Sequence, residues 1–76
     1  MSNLTEGRPP RHPATEGMLK HFRFAHLPPA LQEHSRPFGE LAEHIADNVP
    51  DGPEKTAGLR KLLEAKDCIV RAALTE

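Results

Sequence analysis

The short sequence VPDGP at residues 49–53 constrains the fold of this chain more than any other feature. Apolar residues recur at helical spacing on both sides of it, over about residues 29–48 and about residues 53–74. Pro50 cannot continue the first helix, and a connection this short makes the second helix antiparallel to the first. We therefore predict an all-α fold built on an antiparallel two-helix hairpin.

Each predicted helix departs from a simple hairpin in one respect. Pro37 removes a backbone hydrogen bond inside the first helix, which predicts a kink or a short break near residues 35–37. The apolar arc of the second helix spans about 200°, roughly twice what one partner helix would cover. The chain has 76 residues and one Cys, so no disulfide within the chain supports its small core. These features predict a homo-oligomer.

The N-terminal tail has a different composition from the helices. Residues 1–17 contain three Pro, two Gly and a single Leu, so they offer little apolar surface to offset the entropy cost of ordering. We predict a disordered or extended tail over residues 1–19 and a helical-hairpin domain over residues 20–76.

The tail is followed by an arm, residues 20–28, with the sequence KHFRFAHLP. Pro28 and Pro29 favour extended geometry in the residues that precede them, so we expect an extended arm. Phe22 and Phe24 would then point to one side, across a neighbouring hairpin. Aromatic rings beside Arg23 and His26 suit stacking on nucleotide bases. The alternative is that both rings cover the open end of the hairpin.

Two further places in the second helix could hold an anion. Lys55 and Thr56 lie in its first turn, where free N–H groups, an ammonium and a hydroxyl would meet a phosphate. GPEKT is not a Walker motif, and the alternative is a solvated surface lysine. Lys66 lies near the centre of the apolar arc, where it either reaches an anionic ligand at a subunit junction or extends its amine to solvent.

Other classes of function find little support in the sequence. Neither a zinc-like Cys/His spacing nor a catalytic Ser/His/Asp arrangement stands out, so we expect a non-enzyme without metal or cofactor. No apolar run approaches the roughly 20 residues that span a bilayer, and the first residues lack the apolar region of a signal peptide. We therefore expect no signal peptide, and a cytoplasmic protein that does not bind membranes. The net charge of −1 argues against binding to DNA or RNA polymers.

Several sequence motifs together resemble a known family. They are FRFAHLPP, the helix segment ELAEHI, the turn PDGPEKT and the helix LRKLLEAKDCIVRAAL, which cover roughly residues 20–74. The chain resembles the phage-encoded helical-hairpin domain of anti-CBASS and anti-Thoeris proteins. The sequence departs from that pattern at Ala25 and Leu27, which are interposed in the arm, and at Phe24, which stands where Tyr is common.

The resemblance implies a sponge, a protein that binds cyclic di- or trinucleotide immune signals, or cyclic ADP-ribose isomers, without cleaving them. It also implies a hexamer with pockets between subunits, in the cytoplasm of the infected bacterial host. Glu54, Lys55 and Thr56 match the Glu-Lys-Ser/Thr positions of the family. The ligand-binding residues that we predict are Arg23, Phe24, His26, Lys55, Thr56, Arg60 and Lys66.

Two other interpretations stay open at this point. One is a small phage scaffold or regulatory protein that binds another protein and no small ligand. The other is a weak nucleic-acid binder that uses the arm as a basic strand, which predicts a steep salt dependence of binding.

Overall fold

A computed structural model describes residues 11–75, and the elements it shows there are all helical. Helix α1 comprises Pro13–Leu19, and a 3₁₀ turn follows at Lys20–Phe22. Helices α2, Pro29–Asn48, and α3, Pro53–Thr75, make up most of the chain. The all-α prediction is confirmed, but with three helices instead of two. No helix in this part of the chain is both long and apolar enough to cross a membrane.

Helix α2 has the predicted bounds. Pro28 is extended, with φ −57° and ψ 148°, and Pro29 occupies the first helical position, where a missing N–H costs nothing. The helix continues through Pro37, so the predicted break is absent. Its buried positions carry small residues, which allow neighbouring backbones to approach closely. They are Ser35, Gly39, Ala42 and Ala46.

Helix α3 packs against α2, and the core lies where both meet the N-terminal segment. Leu59 is fully buried at the centre of this core. Around it lie the other buried apolar residues, Leu19, Phe22, Ala42 and Ala46. Because two of these residues come from the segment before α2, that segment is part of the folded domain.

The predicted disordered or extended tail is wrong for residues 13–19, which form helix α1. Residues 1–10 of the predicted tail lie outside the described part of the chain. His12 accepts a hydrogen bond from the backbone N–H of Ala14 at 3.1 Å and so caps the helix. Thr15 and Leu19 are buried, because α1 packs on both α2 and α3. The composition of the tail had suggested disorder, but these long-range contacts stabilise a helix here.

The arm is also more compact than predicted. Its first three residues continue the N-terminal helix as a 3₁₀ turn, whereas Arg23 and Pro28 have the predicted extended geometry. A second turn follows, closed by a 3.0 Å hydrogen bond from the N–H of Leu27 to the carbonyl of Phe24. Leu19 and Phe22 are three residues apart, and in a helical conformation this spacing puts both side chains on the same side, so both can be buried. An extended arm would not combine them in this way.

Candidate functional site

The arm and α2 line an open cavity of about 580 Å³, which we call the arm groove. Three of the seven predicted ligand-binding residues, Arg23, Phe24 and His26, line it. The turn at its edge is held to α2, because the Gln32 amide donates hydrogen bonds to the carbonyls of Leu27 at 2.7 Å and Ala25 at 3.3 Å. The other lining residues are Leu19, Phe22, Ala25, Gly39, Glu40 and Glu43.

The two arm phenylalanines have different environments. Phe22 is only 3 % exposed and belongs to the core, whereas Phe24 is half-buried and lines the groove. A Cβ atom placed on Gly39 would lie 3.2 Å from the Phe24 ring, so only glycine leaves the ring its present position. The Arg36 guanidinium carbon lies 5.5 Å from the ring centroid, within the range of a cation–π interaction. The Phe24 ring is therefore held in place next to the cavity.

Charges of both signs surround the arm groove. Arg23 and His26 are exposed on the arm side, and Glu40 and Glu43 lie on the α2 side. The Glu43 carboxylate accepts a 2.7 Å hydrogen bond from Arg11, which also donates to Asp47 at 2.8 Å. These bonds to Asp47 and Glu43 raise the pKa of Arg11. Arg11 thus offsets the negative charge of one groove wall and ties the start of α1 to α2.

Lys55 has a structural environment that the sequence analysis did not predict. Its side chain is 4 % exposed, and its Nζ donates hydrogen bonds to the carbonyls of Ala46 at 3.0 Å and Val49 at 2.7 Å. It also donates to Asp51 Oδ1 at 2.9 Å, and this bond lowers the pKa of Asp51. Lys55 therefore caps the C-terminal end of α2, where helix carbonyls lack partners.

Neither sequence-based interpretation of Lys55, a phosphate ligand or a solvated surface lysine, includes these contacts with the end of α2. All three ammonium hydrogens have acceptors within the chain, so none is left for a phosphate in this conformation. The spacing of Asp51 and Lys55, four residues apart across a helix start, was the one signal in the sequence that indicated the ion pair.

The other three predicted residues lie apart from the arm groove within one chain. Thr56 lines a separate cavity between α1 and the start of α3. Arg60 is exposed on α3. The Lys66 ammonium lies 2.8 Å from Asp67, and its side chain is 13 % exposed. Sequence analysis also missed Arg36 and Gly39, which position the Phe24 ring.

Searches against known proteins found no matching family model, curated protein or solved structure. The resemblance to the anti-CBASS and anti-Thoeris domain therefore stays a prediction. Among residues 11–75, no cluster of three or more His, Cys, Asp or Glu side chains could hold a metal ion.

Proposed function

We propose that this protein binds a cyclic oligonucleotide immune signal in the arm groove and sequesters it without cleavage, in the cytoplasm of an infected bacterium. One observation carries the proposal: Arg23, Phe24 and His26 converge on a single concave site. The volume of about 580 Å³ is within the range of small-molecule pockets, about 300–1,000 Å³. The family resemblance supplies the class of ligand.

The groups around the arm groove match the parts of a nucleotide. The Phe24 ring offers a stacking surface to a base, an interaction worth about 1–3 kcal/mol. The Arg23 guanidinium suits a phosphate, with which it forms paired, charge-assisted hydrogen bonds. The Glu40 carboxylate on the opposite wall is an acceptor for the exocyclic amino group of a purine or cytosine.

The rigid placement of Phe24 supports tight binding. Gly39 lies against one part of the ring, and Arg36 lies within 5.5 Å of its centroid. A ring already held in position loses little conformational entropy when a base stacks on it.

We further propose that copies of the chain assemble into a homo-oligomer, with the hexamer as the form that the resemblance implies. Large apolar side chains on α2 and α3 are about half exposed or more in the single chain, among them Leu41, Ile69 and Leu74. Assembly would cover part of this surface. It would also allow Arg60 and Lys66 of one subunit to approach the arm groove of another.

The test is calorimetric titration with a panel of cyclic dinucleotides, cyclic trinucleotides and cyclic ADP-ribose isomers. We expect Phe24→Ala to weaken the binding of the ligand by about 1–3 kcal/mol, because base stacking is lost. Arg23→Ala should weaken it as well, whereas Arg71→Ala, an exposed arginine near the end of α3, should not. Intact ligand recovered after denaturing the complex would support sequestration over hydrolysis.

Two results would contradict the proposal. One is affinity that does not change in Phe24→Ala and Arg23→Ala when both variants remain folded. The other is a cleaved product in the recovered ligand.

The exposed apolar side chains favour a second candidate, a small scaffold or regulatory module that binds another protein and no small ligand. The two candidates differ in solution behaviour. A module that keeps this surface for a different protein would be a monomer by light scattering and would bind no member of the panel. The sponge would be an oligomer with saturable binding.

A further inference from the structure

One side of α2 carries a row of four charged residues beside the arm groove. Their spacings of four, three and four residues place them on the same side of a helix. They are Arg36, Glu40, Glu43 and Asp47. Three of the four have a partner. The Arg36 guanidinium carbon lies 5.5 Å from the centroid of the Phe24 ring. Arg11 donates hydrogen bonds to the other two, Glu43 at 2.7 Å and Asp47 at 2.8 Å.

Glu40 is the exception in this row. It lines the arm groove and is exposed, and within residues 11–75 its carboxylate takes part in no hydrogen bond or ion pair. It directly follows Gly39, where a Cβ would lie 3.2 Å from the Phe24 ring. The backbone of Glu40 is therefore close to the ring on which a base would stack.

The second carboxylate on this wall is less available to a ligand. Glu43 accepts the 2.7 Å hydrogen bond from Arg11, and charge-assisted bonds of this kind are among the stronger ones in proteins. A base that used Glu43 would compete with that contact, whereas a base that used Glu40 would break no contact of the described chain. Glu40 is thus the acceptor on the α2 wall that a ligand can use.

The nucleobases differ in what they offer to a carboxylate. A carboxylate only accepts hydrogen bonds, and its two oxygens can accept from two neighbouring donors. Guanine has two such donors side by side on its Watson–Crick edge, the ring N1–H and the exocyclic amino group. In adenine and cytosine the amino group lies next to a ring nitrogen that is itself an acceptor, so one carboxylate oxygen would face a lone pair. Guanine therefore matches an unpaired carboxylate better than the other bases do.

We propose that Glu40 selects guanine as the base that stacks on Phe24, so that the arm groove prefers guanine-containing cyclic oligonucleotides. The carboxylate accepts from the N1–H and the amino group of the base, and the Phe24 ring supplies the stacking surface. Stacking alone tolerates any base, because every base has a π-face, so the selectivity comes from Glu40. This inference rests on the function proposed above, since it assigns the specificity of the same site.

The experiment compares cyclic di-GMP with cyclic di-AMP by calorimetric titration of the full chain. The two compounds share one sugar–phosphate ring and differ only in the base, so a difference in affinity reports on contacts with the base. We expect cyclic di-GMP to bind about tenfold more tightly, which is within the range for a paired contact with the correct base.

A change of one side chain tests whether the carboxylate is the cause. Glu40→Gln replaces one acceptor by a donor, and an amide of this kind pairs with adenine and not with the two donors of guanine. We expect this variant to bind cyclic di-GMP about tenfold more weakly and to lose its preference for that compound. Glu64→Gln alters an exposed carboxylate on α3, outside the groove, with the same change of net charge, and should keep the preference. Circular dichroism checks that both variants are folded.

Three results would overturn the inference. Cyclic di-AMP may bind as tightly as cyclic di-GMP, Glu40→Gln may keep the full preference, or neither compound may bind. In the last case, binding of another member of the panel would leave the proposed function standing. No binding by any member would overturn the proposed function as well.

Discussion

The arm lies at the start of α2, and the α2–α3 junction, residues 49–56, lies at its end. The two regions differ in whether a cationic or an apolar side chain is buried. At the junction the cation is buried, because Lys55 caps the last carbonyls of α2. In the arm the apolar Phe22 is buried, and the cation Arg23 stays exposed. The difference follows from helix polarity. A helix C-terminus offers unpaired acceptors to a cation, whereas the proline start of α2 offers none.

This comparison teaches how to interpret a lysine between two helices. Lys55 was assigned to the N-terminus of the helix that carries it, where a cation is unfavourable. Its long side chain instead reaches back to the helix before it. A cation a few residues beyond the end of a preceding helix should therefore be tested first as a cap of that helix and only then as a ligand.

The largest expected change in stability comes from replacing the phenylalanines of the arm, and it should differ between Phe22 and Phe24. Phe22→Ala should lower the free energy of unfolding by about 3–5 kcal/mol, because the ring is almost fully buried in the core. Phe24→Ala should cost less than Phe22→Ala, because the Phe24 residue is more exposed than Phe22. Urea unfolding followed by circular dichroism measures both. Equal losses would mean that Phe24 is a core residue and that the arm groove is not available as described.

The next effect concerns the lysine at the junction. Lys55→Ala should destabilise the protein by about 2–3 kcal/mol, because charged hydrogen bonds to α2 carbonyls are lost. Lys61→Ala is the matched control on the same helix, and its exposed side chain predicts a change within about 0.5 kcal/mol. Chemical denaturation of both variants measures the difference. If Lys55→Ala instead leaves stability unchanged and weakens a phosphate ligand, Lys55 is a binding residue after all.

The smallest expected changes in stability come from replacing two glycines, Gly39 and Gly58, with alanine. A Cβ at Gly39 would lie 3.0 Å from the carbonyl oxygen of Phe22, so Gly39→Ala should displace the arm and cost about 1 kcal/mol. At Gly58 a Cβ would meet no atom within 4 Å apart from the neighbouring backbone of its own helix, so Gly58→Ala should stabilise α3 by about 0.5–1 kcal/mol. Thermal unfolding would show the opposite signs. A gain at both positions would mean that the arm is not packed tightly on α2.

The two long helices could be predicted from sequence because their signals are local. The bounds of α2 follow from Pro29 at its start and Pro50 beyond its end, and α3 begins at Pro53 for the same reason as α2 begins at Pro29. The prediction for α3 ended one residue early, at Leu74 and not at Thr75. Amphipathic periodicity over about 20 residues is a strong signal that tertiary contacts rarely override.

Helix α1 and the lining of the arm groove could not be predicted in the same way. Arg11 contacts Glu43 and Asp47, which lie 32 and 36 residues later, and no local pattern indicates such pairs. The position of Phe24 depends on the lack of a side chain at Gly39, which only the packed structure reveals. Composition alone therefore indicated the wrong state for residues 13–19.

The cap formed by Lys55 also has a consequence for the order of folding. Its acceptors lie only 9, 6 and 4 residues earlier in the chain, so closing this connection restricts a short loop. The contacts of Arg11 close loops of 32 and 36 residues, which costs more chain entropy. We therefore expect a folding chain to gain the contacts between α2 and α3 first, and α1 to dock afterwards on the surface that they form.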